Sequence, residues 1–260
     1  EQHGPVLELS FEVIASGKRV WRAEVVGVLG TVLRAREGAS EQLSCEALLD
    51  AARSVLDGGL DVRQVVLGVP AIVCEGRLRH CDAPELDGAP LVDVLARGSG
   101  LPVHAENDMH HKAYGCYREL GVDAETVTLA NFPARVLPGT ATVADGRVLR
   151  GAHRFAGMIG FIDYGMAREE YRARLERPSA RRLIAQGLCS LIAVLDPGLV
   201  VCTGDLVDEG ELAVIERLCA ERIPREYLPR FAYRQSLDDL YRAGMLACAL
   251  DARAGSGEGA

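Results

Sequence analysis

Leu101-Pro102-Val103-His104-Ala105-Glu106-Asn107-Asp108-Met109-His110-His111-Lys112-Ala113-Tyr114-Gly115 is the stretch that organises the rest of the chain. Leu101 to Val103 is a short apolar run that reads as a strand, and it stops at the polar Glu106-Asn107-Asp108. Asn107 or Asp108 then caps a helix whose apolar face is Met109, Ala113, Cys116 and Leu120. A strand that yields to a helix at Asn-Asp sets an amide and a carboxylate at the carboxyl edge of a sheet, where open α/β sheets hold ligands. There an Asp can accept a proton from a ligand hydroxyl. An Asn beside it can hold the ligand by donating and accepting at once. Helix capping alone also accounts for the pair.

Working outward, residues 6–14 alternate, with Leu7, Leu9, Phe11 and Val13 set against Glu8, Ser10 and Glu12. That is a half-buried strand. Gly17-Lys18 turns it into a second strand, Val20 to Val26, and Gly27 and Gly30 bracket a turn into a third at Val32-Leu33. Ser40 is the expected cap of a helix with Leu43, Ala47, Leu48, Ala51, Ala52, Val55 and Leu56 on one face, ended by Gly58-Gly59. Val65 to Pro70 is a buried strand, and Leu91 to Arg97 a short helix. Beyond Gly121, strands run from Thr126 to Ala130 and from Val136 to Val143, with Asp145-Gly146 as a hairpin turn. Residues 179–195 form an apolar-faced helix broken by Asp196-Pro197-Gly198. Leu199 to Cys202 is a strand, 207–222 a helix, and Tyr227 to Tyr233 a short stretch broken by Pro229. Ser236 caps a last helix through Leu250, and Ala254 to Ala260 is a loose tail.

The 260 residues are 48% hydrophobic and 25% charged, which supplies a core and excludes a disordered chain. A net charge of −8 repels nucleic-acid backbones and anionic membranes. No basic helix or zinc-finger spacing is present, no apolar run reaches the roughly 18 residues of a membrane span, and no signal peptide opens the sequence. The expected location is the cytoplasm. The chain opens on Glu1 and reads as a fragment with a segment before it. Eight cysteines lack Cys-x-x-Cys spacing and read as reduced core residues.

Three stretches resemble the ROK family of repressors, open reading frames and sugar kinases. The first is Glu106-Asn107-Asp108. The second is Gly68-Val69-Pro70 with Glu75-Gly76-Arg77-Leu78, Ala83-Pro84-Glu85-Leu86 and Ala89-Pro90-Leu91. The third runs from Arg147 through Gly151-Ala152-His153 and Phe155-Ala156-Gly157 to Ile159-Gly160. The resemblance covers roughly residues 6–252. It implies an α/β, two-lobed, actin-like and ribonuclease-H-like sugar-kinase fold with a central cleft. Residues 1–115 are the expected N-terminal lobe, with the last helix, 236–253, crossing back to it. Residues 116–235 are the C-terminal lobe, and 254–260 the flexible tail.

In ROK kinases the aspartate matching Asp108 activates a sugar hydroxyl, and two glycine-rich turns grip the nucleotide. Here the first turn, Ile14 to Lys18, has one glycine and no aspartate; the second, Leu129 to Arg135, has no glycine. Only a backbone without Cβ lets amides crowd phosphate oxygens. The family's sugar-binding Glu and sugar- and zinc-binding His correspond to Met158 and Phe161, and no cysteine stands in the following loop, Ile162 to Glu170. The expectation is therefore a chain that is not an enzyme, with no catalytic residue, no ATP and no zinc or other metal. It reads as the effector-binding and oligomerising body of a ROK-type transcriptional regulator. A sugar or sugar derivative would be bound by Asn107, Asp108, Gly68, Pro70, His110, Met158 and Phe161. His111 and His153 lie near these features and are weaker candidates. Expected partners are a sugar-like effector and a second copy of the chain in a homodimer, with DNA reached only through a helix-turn-helix outside this sequence. The alternatives are an ATP-dependent ROK sugar kinase and a body serving only in dimerisation.

Overall fold

The computed structural model describes residues 4–14, 16–57, 59–120 and 126–256, with side chains as far as Asp251. Two compact units divide the chain, residues 1–115 with 241–260 and residues 116–240. The boundaries fall inside two helices.

The first unit opens with the meander β1 (Val6–Val13), β2 (Arg19–Val26) and β3 (Val32–Ser40). It continues through α1 (Cys45–Leu56), β4 (Val65–Val69), the small hairpin β5 (Ile72–Cys74) and β6 (Arg77–Arg79), α2 (Leu91–Ser99), β7 (Val103–Asn107) and α3 (Asp108–Leu120). Its sheet has the order β3-β2-β1-β4-β7, with β1, β4 and β7 parallel. The second unit holds β8 (Thr126–Asn131), β9 (Gly139–Ala144), β10 (Arg147–Val148), α4 (Arg168–Arg174), α5 (Ala180–Leu195), β11 (Leu199–Thr203), α6 (Glu209–Ala220) and β12 (Arg230–Tyr233). Its sheet order, β10-β9-β8-β11-β12, repeats the first. The last helix, α7 (Asp238–Ser256), starts in the second unit and ends in the first.

Several boundaries differ from the sequence reading, each for a local reason. The cap of α1 is Ser44, whose hydroxyl accepts from the Ala47 amide at 3.1 Å, while Ser40 is the last residue of β3. The focal strand runs to Asn107 because Asn107 pairs in parallel register with Val69, and Glu106 is buried rather than a solvated stop. The second hairpin strand begins at Gly139, after Pro138, and leaves Val136 exposed. Asp145 and Gly146 both have positive φ, the turn that matches strand twist. None of the eight cysteines is in a disulfide; Cys74 is exposed and Cys81 and Cys248 half-buried, so the core reading holds only for the other five. Residues 257–260 of the expected tail lie outside the described residues. No described helix is long and apolar enough to cross a membrane.

One core lies between the first sheet and α1 and α2, built on Leu7, Leu9, Leu48, Leu67, Leu91 and Leu95. On the other face α7 packs Met245 and Ala249 against Val6, Val26 and Val66. That face also buries Glu8, directly opposite Glu24 on β2. Neither Glu8 oxygen has a hydrogen-bond partner, and the Arg242 charge of α7, which acts on Glu8, sits with its Nε 3.2 Å from Glu24. Burial first, and the Glu24 charge second, push the Glu8 carboxyl up to about 8. A raised carboxyl binds its proton more tightly in the folded chain, so its stabilisation is full at low pH and drains away up to about pH 8. His111, held down at about 4 by burial, acts oppositely but only below its ordinary value of 6.5. Between pH 6.5 and 8, urea unfolding therefore shows stability falling with pH, and Glu8→Gln flattens that slope.

Candidate functional site

Val69 pairs with Asn107, so β4 and β7 end together at one edge of the first sheet, beside β1, which pairs Ser10 with Gly68 and runs on to Val13. Asp108 sits there as the first residue of α3. Its carboxylate accepts from Lys112 Nζ at 2.6 Å, one helical turn on, with about one-seventh of each side chain exposed. Lys112 also lies 4.9 Å above the ring of Tyr241, which α7 brings in. Asn107 accepts from the Met109 amide at 2.9 Å, capping α3, and donates its Nδ2 to the Ala71 carbonyl at 3.0 Å. Its amide group thus ties the helix start to the turn after β4. The capping reading is correct for Asn107, whereas the Asp108 carboxylate is paired with the Lys112 side chain.

Gly68 is required by the close approach of Tyr241: a Cβ there would lie 2.0 Å from the tyrosine oxygen. Pro70 is half-buried, and its carbonyl accepts from the Asp82 amide at 3.0 Å. His110 is buried and holds Glu106 through Nδ1 at 2.8 Å, so its ring faces inward. His111 is wholly buried between Tyr241 and His104, with ring centroids 6.2 and 6.4 Å away. Both histidines therefore serve the packing of α3. Asp82 is an exposed residue after the β5–β6 hairpin. Desolvation, and then the Asp108 charge, raise it to about 6, against a lowering effect of Lys112.

The second unit carries the other candidates. Met158 is half-buried ahead of a 3₁₀ turn, Ile159–Phe161. Phe161 is exposed, edge-on to Phe155 at 5.0 Å, with the Arg168 guanidinium 4.2 Å over its ring. His153 is exposed. The turn after β8 is closed to phosphate by its own chain. The Phe132 amide donates to Thr203 O (2.9 Å), Ala134 to the Asp205 carboxylate (3.1 Å), and Arg135 to Leu175 O (2.9 Å); Pro133 has no N–H. Phe132 is 1% exposed, and Gly204 packs so tightly on it that a Cβ would meet its carbonyl carbon at 2.6 Å. In the turn after β1, Ile14 donates to Lys18 O and Gly17 to Ile14 O, and Lys18 sits 3.9 Å from Glu41 in solvent. Ala15 of that turn lies outside the described residues. The described amides of the turn after β8 are thus paired, and it does not offer the row of free amides that a phosphate cradle needs. The run Ile162 to Glu170 has no Cys or His, so it does not fit zinc.

No family model matches the chain. The structure is similar to a ROK hexokinase from Thermus thermophilus, with a TM-score of 0.72, 21% identity, and coverage of 96% of this chain and 99% of that one. The chain has the ROK fold. A ROK transcriptional regulator, a homologue of the E. coli MLC protein, matches with a TM-score of 0.71 and 16% identity over 95% of this chain and 78% of that one. An N-acetylmannosamine kinase from Salmonella newport is 30% identical over 119 residues, 44% of this chain. The match spans 40% of that relative's length. The ROK resemblance and the actin-like sugar-kinase fold class are thereby borne out. The expectation that the chain is not an enzyme is overturned: the curated relatives are kinases, and the ROK structures it resembles include hexokinases and glucokinases.

Proposed function

We propose that this chain is a ROK-type sugar kinase in which Asp108 is the general base. The observation that carries this reading is Asp108 itself, at the carboxyl edge of β4 and β7 and neutralised by Lys112 rather than by a backbone cap. As the acceptor hydroxyl oxygen bonds to the donor's terminal phosphorus, the phosphorus–oxygen bond to the leaving group breaks and the hydroxyl proton passes to Asp108. Lys112 keeps a positive charge beside the carboxylate in the ground state. Asn107 fixes the start of α3 against the Ala71 turn, so the base has a set position. The acceptor is a sugar. No metal is bound in the loop after Phe161.

The turn after β8 is a weak grip for a phosphate donor, because the Phe132, Ala134 and Arg135 amides are already paired, one of them with the Asp205 carboxylate. Turnover is therefore expected at millimolar rather than micromolar donor, near or above the top of the usual range, about 1 mM. Coupled assays of hexoses and hexosamines with nucleoside triphosphate and with polyphosphate test this. Saturation at low micromolar donor would show that the turns do bind phosphate, and no turnover with any pair would remove the kinase reading.

A second reading is favoured by one observation, the regulator whose structure matches over 95% of this chain. In that reading the chain is the sugar-responsive body of a homodimeric regulator, acting on DNA through a helix-turn-helix outside this sequence, in the cytoplasm.

A further inference from the structure

We propose that Tyr241 is a positioning residue of the kinase site: its ring holds the Lys112 ammonium against Asp108 while that carboxylate takes up the acceptor's proton. This rests on the sugar-kinase reading and adds a residue to it. Lys112 Nζ donates to Asp108 Oδ2 at 2.6 Å, and no bond among the described residues takes Oδ1. The Tyr241 ring centroid lies 4.9 Å from the same Nζ. Three contacts keep that ring in place. Its hydroxyl rests on Gly68, where a Cβ would come within 2.0 Å of it. The His111 ring packs beside it, 6.2 Å between centroids. Gly244, three residues on in α7, sets the helix so close to α3 that a Cβ would meet the His111 carbonyl oxygen at 1.9 Å.

Lys112 therefore has two partners before reaction, a carboxylate and a ring. As the acceptor oxygen bonds to phosphorus and the donor's phosphorus–oxygen bond breaks, the hydroxyl proton passes to Oδ1 and the carboxylate becomes neutral. The ion pair is then lost, and only 15% of the Lys112 side chain is open to water. A mostly buried ammonium with no counter-charge is costly. The ring does not change charge in that step, so its negative face goes on holding the cation. The contact thus counts most in the transition state, where it acts on kcat rather than on acceptor binding. Held between Oδ2 and the ring, the ammonium also stays off Oδ1, the oxygen that receives the proton.

The chain has two lysines, Lys18 and Lys112, and Lys18 is half-exposed in solvent, so NMR of lysine-labelled protein reads Lys112 against an internal reference. The Lys112 side-chain signals are expected upfield of those of Lys18 in wild type and in Tyr241→Phe, and level with them in Tyr241→Leu. Steady-state kinetics on the same proteins gives the role. Tyr241→Phe keeps kcat within about twofold, because the ring face remains. Tyr241→Leu lowers kcat by about three- to thirtyfold, the worth of a partly desolvated cation–π contact, with acceptor KM little changed. Lys112→Met loses at least as much, and adding Tyr241→Leu to it costs nothing further. Lys112 signals level with Lys18 in wild type, equal losses from the Phe and Leu variants, or a Tyr241→Leu loss just as large in the Lys112→Met chain each overturn the role of Tyr241 and leave the kinase reading standing. No turnover by wild type with any sugar and donor removes the kinase reading, and the Lys112 signals then decide alone whether Tyr241 holds the ammonium.

Discussion

Asp108→Asn lowers kcat for sugar phosphorylation by about 10²- to 10⁴-fold, the usual range for losing a positioned general base. The amide keeps the shape of the carboxylate and still accepts from Lys112 Nζ, so α3 stays capped by Asn107 and the fold is retained. Acceptor KM changes little, because the lost function is proton acceptance in the transition state rather than ground-state contact. The structure separates the two roles that the sequence leaves joined: Asn107 is committed at both ends of its amide, and Asp108 is not. Asn107→Ala is the informative partner. It frees the Met109 amide and the Ala71 carbonyl, so it lowers stability as well as kcat, whereas Asp108→Asn lowers kcat alone. Steady-state kinetics with thermal melts on both variants separates the base from its support.

Gly244→Ala is the substitution with the largest expected effect on stability. A Cβ at Gly244 would lie 1.9 Å from the His111 carbonyl oxygen, 2.8 Å from its carbon and 2.9 Å from the Gly115 nitrogen. All three atoms are backbone of α3, which cannot rotate away as a side chain can. Two helices meet here at glycine distance, and the contact seats Tyr241 over Gly68 and Lys112. Adding the methyl must drive α7 off α3, at a cost of about 3 kcal/mol or more. That is a fall in melting temperature of about 6–12 °C for a chain of this size. Gly210→Ala in α6 is the control: its nearest neighbour is the Asp208 side chain at 3.3 Å. There the change is near neutral or slightly stabilising, as alanine's helix propensity favours it. Equal losses from both would mean that the α3–α7 contact is not tight.

What the sequence revealed, and what it hid, follows from the range of each interaction. Alternation in residues 6–14 and the Asp145-Gly146 turn are local signals, and both elements formed where they were read. Asn107 and Asp108 were legible for the same reason, since a strand end and a helix start are written in neighbouring residues. Lys112 was within reach as the i+4 partner of Asp108. Tyr241 was not, because it arrives from a helix more than a hundred residues away. Nor was Asp82: nothing in Cys81-Asp82-Ala83 announces that its amide meets Pro70. The pairing of His110 was hidden because Glu106 looked like a polar stop; buried in β7, Glu106 gives His110 an internal partner. The missing glycines concern the donor side alone and could not decide whether a reaction occurs.

The most direct measurement is phosphorus NMR of the product mixture from wild type and Asp108→Asn, each incubated with millimolar donor and a sugar panel. A sugar-phosphate resonance that grows with wild type and is absent with Asp108→Asn is the result predicted. A product formed equally by both proteins, or by neither with every donor and sugar, would contradict the assignment of Asp108 as the base of a sugar kinase.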